Sequence, residues 1–515
     1  MRRSRSGEHA AARWRDDRAT PPRCADADAD ANANEHGRGG CALTLPAGLL
    51  LAYYGDDFTG STDVLDAFAA AGVPTVLFFE PPTAADLQQF AAARCIGLAG
   101  TARSRGPAWM AAQLPGAFDA LARLGPPLLQ YKVCSTFDSS PEVGSIGRAI
   151  DLGLARFGAE AGWSPVIVGA PPLRRYQAFG HLFAAAGDGV VHRLDRHPTM
   201  QRHPVTPMGE SDLRAHLARQ TSRRIELIDF VQLKAGRGAE RLAALRGDDV
   251  PIVLLDVIDD ESLAAAGRLV WEQRGSALFS ASSSGLDHAL AAHWRQLGTA
   301  GEWPPGGDAA APADPHAGRD VRCVGVSGSC SPVTAAQIAV ALASGRFDGL
   351  RVDVAATLQP AGLGAEVERL VACARAALRA GRAPLVYSAR GPDDPAVGAF
   401  DAAAARAGLS RDEAAACIGR ALGQVLRHLL DEEPALTRLL VVGGDSSGAV
   451  VSALGLRGLT VARPLAPGAP LCWAFSHDAR RKGLELVLKG GQMGSQRFFL
   501  EAAEVQGRHA EASNS

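Results

Sequence analysis

Lysine is nearly absent from this chain. Only Lys132, Lys234, Lys482 and Lys489 occur in 515 residues, against 49 arginines. A site that needs a compact ammonium instead of a planar guanidinium therefore has four residues to draw on. A surplus of either charge is also missing: Lys plus Arg total 53 and Asp plus Glu 55, a formal charge of −2. That balance argues against nucleic acid as a partner, because such binders carry a basic surplus or stripe. No apolar run reaches the ~20 residues of a membrane helix, so no membrane partner is expected. Paired cysteines are missing too. Nine are scattered without a C-x-x-C, which argues against a disulfide framework or a cysteine zinc site and for a cytoplasmic setting. There is no G-x-x-x-x-G-K-[ST], no G-x-G-x-x-G after a strand, and no H-R-D or D-F-G set. These absences exclude a P-loop enzyme, weaken a nicotinamide reading and exclude the protein-kinase pattern.

What is present suits a large soluble protein. The chain is 47% hydrophobic and 21% charged, enough to bury a core, and its length favours two domains. Residues 1–45 read as a disordered low-complexity tail, with seven Arg in the first 23 positions and an Ala-Asp repeat over Cys24–Asn34. Without an apolar core segment, that stretch is not a secretory signal. Leu49–Tyr54 then reads as a buried strand, Gly55–Gly60 as a polar loop, and Ser61 onward as a helix with apolar Val64, Leu65, Phe68 and Ala71. A strand over Thr75–Phe79 completes a βαβ unit. Apolar runs at Cys95–Leu98, Leu128–Val133, Pro165–Val168 and Ile252–Val257 alternate with Ala-rich helical stretches. The fold class expected is α/β: two α/β domains, each with a mainly parallel sheet flanked by helices and the active site in the cleft between them. The division is placed at a first domain over 46–300, a Pro/Gly/Ala-rich linker over 301–319, a second domain over 320–508 and a disordered tail over 509–515.

Polar loops at strand ends carry the candidate chemistry, since ligands of open parallel sheets bind outside the carboxyl ends of the strands. Asp56, Asp57 and Thr59 share the first such loop; adjacent carboxylates suit a polyol, one of them able to take a proton from an attacking hydroxyl. Arg103 and Arg105 suit a substrate carboxylate or phosphate. Lys132 precedes a loop containing Ser135 and Thr136. In the second half, three glycine-bearing loops follow apolar strands: Ser329 and Ser331 before a helix, Gly443-Gly444-Asp445-Ser446 before another, and Lys489-Gly490-Gly491. Helix N-termini and close backbone approach suit phosphate. His181, His192, His197 and His203 cluster with arginines, but no zinc spacing is present, and the nearby prolines mark an irregular loop.

These motifs together resemble the four-carbon acid sugar kinase family. The resemblance rests on Tyr54–Gly60, on Lys132 with Ser135-Thr136, on Gly328–Thr334, on Gly443–Gly448 and on Lys489–Ser495, in that order. It implies a sugar-acid-binding first half, a nucleotide-binding second half and ATP-dependent phosphorylation of a small sugar acid such as threonate, erythronate or a 3-oxo-tetronate. By resemblance, ATP would meet Ser329, Ser331, Gly443 to Ser446 and Gly490, and substrate would meet the Asp56–Asp57 loop, Arg103–Arg105 and the Lys132 loop. One departure stands out: many members carry Asp-Ser-Thr-Leu-Arg-Gly after the lysine, where this chain has Cys134-Ser135-Thr136-Phe137-Asp138-Ser139. The expected mechanism uses ATP and Mg2+, with Asp57 as first choice of base, Asp56 orienting substrate or metal, and no metal ligands assigned. Two rival classes stay open: a sugar-acid dehydrogenase or epimerase, and a non-catalytic nucleotide-binding regulator. A homodimer is left open as the assembly.

Overall fold

The computed structural model describes residues 45–203, 205–297 and 321–505. The expected linker at 301–319 and nearly all of both expected tails lie outside the described residues. The apolar runs of the first half become β1 (Leu51–Gly55), β2 (Thr75–Phe78), β3 (Cys95–Ala99), β4 (Leu128–Lys132) and β5 (Ser164–Val166). There follow β6 (Arg175–Ala178), β7 (His181–Ala185), β8 (Val191–Arg193), β9 (Ile225–Ile228), β10 (Ile252–Leu255) and β11 (Leu278–Ser282). The second half supplies β12 (Arg322–Ser327), β13 (Phe347–Arg351), β14 (Ala383–Tyr387), β15 (Leu436–Val442), β16 (Gly458–Ala466), β17 (Ala469–Phe475) and β18 (Glu485–Lys489).

Twelve of these strands form one sheet in the order β11-β4-β1-β3-β2-β16-β17-β18-β15-β12-β14-β13. Pairing is parallel except at β2–β16, β16–β17 and β17–β18. Thus both halves contribute a parallel sheet, and the antiparallel β16–β17 hairpin joins them edge to edge. Parallel strands covered on both faces read as unbroken apolar runs, and β1, β3 and β4 are buried at every residue. In each half the first strand lies between strands that come later in the chain: β1 between β3 and β4, β12 between β14 and β15. The loops leaving β1 and β12 therefore sit at topological switch points, where clefts open.

Helix α1 (Phe58–Ala69) follows β1 and starts at Asp57, whose carboxylate accepts from the Gly60 amide. Later helices are α2 (Ser284–Gln296), α3 (Pro332–Ala343), α4 (Arg411–Glu432) and α5 (Gly444–Leu454). Gly419 and Gly423, four apart on α4, let α5 approach: a Cβ on either would come within 2.8 and 2.7 Å of the Ala449 and Ala453 methyls. Gly448 of α5 does the same for α1, where a Cβ would meet the Phe58 ring at 2.9 Å. This seating matters for the site. In a flat sheet β1 and β15 would be about 29 Å apart at about 4.8 Å per strand. Yet a Cβ on Gly444, just after β15, would lie 3.8 Å from Asp57 Oδ2, just after β1. The sheet therefore curls around α1 and brings the two strand-end loops face to face.

A three-stranded antiparallel sheet, β6-β7-β8, and a parallel one, β5-β10-β9, complete the first half. The histidine-rich stretch was expected as an irregular loop. Instead, His181 and His192 lie on β7 and β8, and only the segment from His197 onward is irregular.

Candidate active site

The site is built from strand ends. The Asp56-Asp57 loop leaves β1 between β3 and β4, and the backbone of Asp56 is pinned from both sides: its amide donates to the Lys132 carbonyl and its carbonyl accepts from the Arg103 amide. Arg103, on a short 3-10 turn after β3, forks across both acids. Its Nη2 and Nε donate to Asp56 at 2.7 and 3.2 Å, and its Nη1 donates to Asp57 Oδ2 at 2.7 Å. Thr59 Oγ1 adds a donor to the same oxygen at 2.9 Å, and the Gly60 amide donates to Oδ1 at 2.7 Å. Burial pushes the Asp56 carboxyl up to about 6; Arg103 opposes the rise and Asp57 reinforces it.

Arg103 is thus the organiser of the acid pair, and its guanidinium is engaged by Asp56 and Asp57 instead of being open to a substrate carboxylate. Arg105, its expected companion, turns outward: it is exposed and stacks over Trp109 at 5.5 Å. Lys132 is buried at the end of β4, donates to the Val133 carbonyl at 3.0 Å and stands 3.5 Å from Asp63. Ser135 and Thr136 form the turn that follows. Thr136 donates to Asp138 at 2.6 Å, and Cys134 contacts Thr136 at 3.0 Å, so the two unusual residues of this loop bind each other through Thr136.

Two acids around Lys132 were not picked out as site residues from the sequence. Asp63 sits one turn into α1. Asp287 lies in the first turn of α2, accepts from Gln130 at 3.2 Å, and is pushed up to about 7 by burial against the pull of Lys132. One buried oxygen of each, Asp63 Oδ1 and Asp287 Oδ1, has no hydrogen-bond partner. The available signal was Ser282-Ser283-Ser284-Gly285, a polar run directly after an apolar strand like those already flagged.

On the facing side the three glycine loops interlock. A Cβ on Gly328 or Gly443 would lie 2.6 Å from Ser446 Oγ, and one on Gly491 would lie 2.7 Å from Ser329 Oγ. Gly443 also needs glycine for its backbone, at φ +132. These glycines are required for loop-on-loop packing, whereas a Cβ on Gly444 or Gly490 would make only ordinary contacts: Asp57 at 3.8 Å and, besides the local Met493, Thr59 at 4.0 Å. Ser331 caps α3 by accepting from the Thr334 amide, and its hydroxyl donates to the Gly491 carbonyl. Thr334 and Gln337 of α3 hold the same loop through Gly491, Met493 and Ser495. Asp445 and Ser446 open α5; the Asp445 side chain lies outside the described residues.

Lys489 is fully buried at the end of β18, donating to the Gly490 and Met493 carbonyls at 2.9 and 3.1 Å, with its ammonium 5.4 Å from the Phe498 ring centre. Burial pushes it down to about 7. It shapes the glycine loop from below. Lys489→Arg and Lys132→Arg must fit a planar fork into these sealed spaces and are each expected to lower kcat/KM. Overpacking of this kind costs about 1–3 kcal/mol, readable in denaturant melts. Lys234→Arg, half-exposed beside Asp259 and Glu261, is expected to change neither measurement.

Among the described residues no group of three or more His, Cys, Asp or Glu is arranged to hold a metal ion. No helix of the described chain is long and apolar enough to cross a membrane.

Comparison with known proteins matches the two halves of the chain separately. Residues 51–290 match the sugar-binding N-terminal domain profile, and residues 324–499 match the nucleotide-binding C-terminal domain profile. The chain is 58% identical over 458 residues to the 3-oxo-isoapionate kinase of Paraburkholderia graminis, covering 89% of this chain and 95% of that one. It is 32% identical to the 3-oxo-tetronate kinase of Cupriavidus necator, covering 89% and 98%. A solved structure from Salmonella typhimurium LT2 superposes with a TM-score of 0.68 at 25% identity, covering 88% of this chain and 98% of that one. The dehydrogenase and regulator readings fall, and ATP use follows from the nucleotide-binding half. With both profiles matched and kinases of 3-oxo sugar acids as relatives over 89% of its length, this chain is a sugar-acid kinase and belongs to the four-carbon acid sugar kinase family.

Proposed function

We propose that the chain transfers the γ-phosphoryl group of ATP to a hydroxyl of a 3-oxo sugar acid, with 3-oxo-isoapionate preferred over 3-oxo-tetronate. The substrate reading follows the 58%-identical relative's activity, and the site reading rests on one observation: a Cβ on Gly444 would lie 3.8 Å from Asp57 Oδ2, so the acid pair and the start of α5 face each other. Phosphoryl transfer needs mainly positioning and charge stabilisation. The acceptor hydroxyl would sit against Asp57, and the phosphates against the α5 N-terminus and Gly490. Asp57 has three donors on its about four acceptor positions, which leaves room on Oδ1 for the substrate hydroxyl. Asp57 takes the proton as the hydroxyl oxygen bonds to phosphorus and ADP departs. Asp56 keeps Arg103 in register. Mg2+ commonly binds through phosphate oxygens, waters and one or two carboxylates; with no cluster of three or more acids among the described residues, that mode fits, and Asp56 or Asp57 would be its protein ligand. The ion would neutralise charge on the transferred group.

Assays of ATP-dependent phosphorylation should give the highest kcat/KM with 3-oxo-isoapionate, lower values with 3-oxo-tetronate, and the lowest with threonate and erythronate. Formation of no phosphorylated product from any of them would sink the reading. The pH profile is a second test. Ionisation of Asp56 costs the fold stability as pH rises toward about 6, yet catalysis needs the ionised, Arg103-paired form. So kcat/KM is expected to fall as pH drops through about 6, and Asp56→Asn should remove that limb. An identical limb in an active Asp56→Asn enzyme contradicts the assignment.

A further inference from the structure

A sugar acid brings a carboxylate, and of the three cations first expected to hold it two are occupied and one turns outward. Arg103 is spanned by Asp56 and Asp57, Lys132 stands against Asp63, and Arg105 is exposed beside Trp109. Arg175 is different. It opens β6, bridges to Ala170 just beyond β5, and shares its face of the strand with Gln177, which is wholly buried. Alternation along a strand therefore points Arg175 inward. Its Nη1 meets only main-chain carbonyls, those of Leu173, Arg174 and Ala185 at 3.2 to 3.3 Å. Its Nε is buried without a partner, and no carboxylate pairs with it among the described residues.

Its neighbours do not neutralise it. His197 accepts from the Thr199 and Met200 amides at Nδ1, so its proton sits on Nε2, which faces the Ala185 carbonyl at 3.4 Å. Burial, with a contribution from Arg175, lowers the pKa of that imidazole, which keeps it neutral. His192 stands 6.0 Å from His197 with Nε2 buried and unpartnered. Here is a partly buried cation whose Nε is sealed and unpaired, with an unpaired imidazole nitrogen nearby. Leaving such a charge uncompensated is unfavourable, and an incoming anion removes the penalty.

The location ties this cluster to the cleft. Arg175 lies within electrostatic reach of Asp63 on α1 and of Cys134 on the Lys132 loop, a thiol that burial pushes up to about 11 and so keeps neutral. The β7–β8 turn reaches over to the nucleotide side, where a Cβ on Gly187 would lie 3.5 Å from Val333 at the start of α3. The β6-β7-β8 sheet thus reaches from the neighbourhood of Asp63 and the Lys132 loop to the start of α3.

We propose that Arg175, backed by His192 and His197, is the anchor for the carboxylate of the sugar-acid substrate and the residue that selects acids over neutral polyols. The proposal rests on the sugar-acid kinase reading given above. Arg175→Gln is expected to raise KM for the sugar acid by about 10- to 100-fold, the range of lost charge-assisted hydrogen bonds. The KM for ATP and kcat should stay within about threefold, the pattern of lost uniform binding. Turnover of erythritol, which has no carboxylate, should be unaffected, so the preference for acid over alditol collapses. Arg175→Lys keeps the charge, loses the fork and should recover part of the affinity; it carries the test if the glutamine variant does not fold. Arg105→Gln is expected to leave the KM for acid unchanged. An unchanged KM in folded Arg175→Gln or Arg175→Lys, an equal loss for acid and erythritol, or a larger effect in Arg105→Gln overturns the anchor. Calorimetric titration with erythronate separates this from the catalytic reading. If the wild type phosphorylates nothing but binds erythronate, loss of that binding in Arg175→Gln alone still supports the anchor. Equal binding by both, or none by the wild type, counts against it.

Discussion

Asp57→Asn is expected to lower kcat by about 10²- to 10⁴-fold, the range for removal of a positioned general base, with KM for ATP little changed. The substitution keeps the shape of the side chain and its capping bond from Gly60, so α1 should start where it does now. What changes is charge and acceptor capacity: with the Gly60 bond kept on Oδ1, the NH2 group takes the place of Oδ2, where the Thr59 hydroxyl can turn to accept from it but the Arg103 guanidinium opposes it. Rapid-quench measurement of the first turnover checks this, because it isolates the chemical step from product release. A variant with a full-rate first turnover removes Asp57 from the base role and leaves Asp56 as the alternative. Asp57→Ala should match or exceed the catalytic loss and in addition destabilise the fold by about 1 kcal/mol, the typical worth of an N-cap.

Arg103→Met should be the most disruptive single change in structural terms. It strips one guanidinium from two nearly buried carboxylates that lie side by side. Breaking a buried pair by removing one partner costs about 3–5 kcal/mol; Arg103 is one-fifth exposed, which favours the lower part of that range. Denaturant melts should therefore show a large loss at pH 7 that shrinks as pH falls, since protonation of the freed acids relieves their repulsion. A loss that is independent of pH would mean that the missing packing, and not the missing charge, is responsible. Arg103→Lys cannot fork across both acids and should restore stability better than activity.

The strand-end loops were legible because each couples a buried apolar strand to a run of Gly, Ser or Asp. That coupling marked Asp56, Asp57, Lys132, Ser329 and Gly443–Ser446. Pairings across long separations were not legible. Nothing local tells that Arg103 is spent on acids 46 and 47 residues earlier, or that Ser331 donates to Gly491. The β16–β17 hairpin was missed because Pro464 and Pro470 argue against strand, although Pro467-Gly468 between them is a turn signal. The β6-β7-β8 sheet was missed because its strands are three to five residues long and rich in Ala, His and Arg. Arg175 lay hidden there: a lone arginine among 49 gains meaning only when its burial and its lack of an acid are known.

The junction at β2–β16 sets how far the two halves can be treated as separate parts. It consists of two residue pairs, Gly458 with Phe78 and Leu459 with Leu77. Phe475 packs there on Phe78 and Phe90, and Arg457 bonds to Glu80 and Asp86 across the same line. Cut at this line, each fragment would show a bare strand edge beside unburied aromatic rings, the combination that recruits foreign strands. Expressed alone, then, either half should be aggregation-prone. Co-expression of the two pieces should rescue solubility, and the rescue should fail when Leu459→Pro removes the backbone donor from the seam.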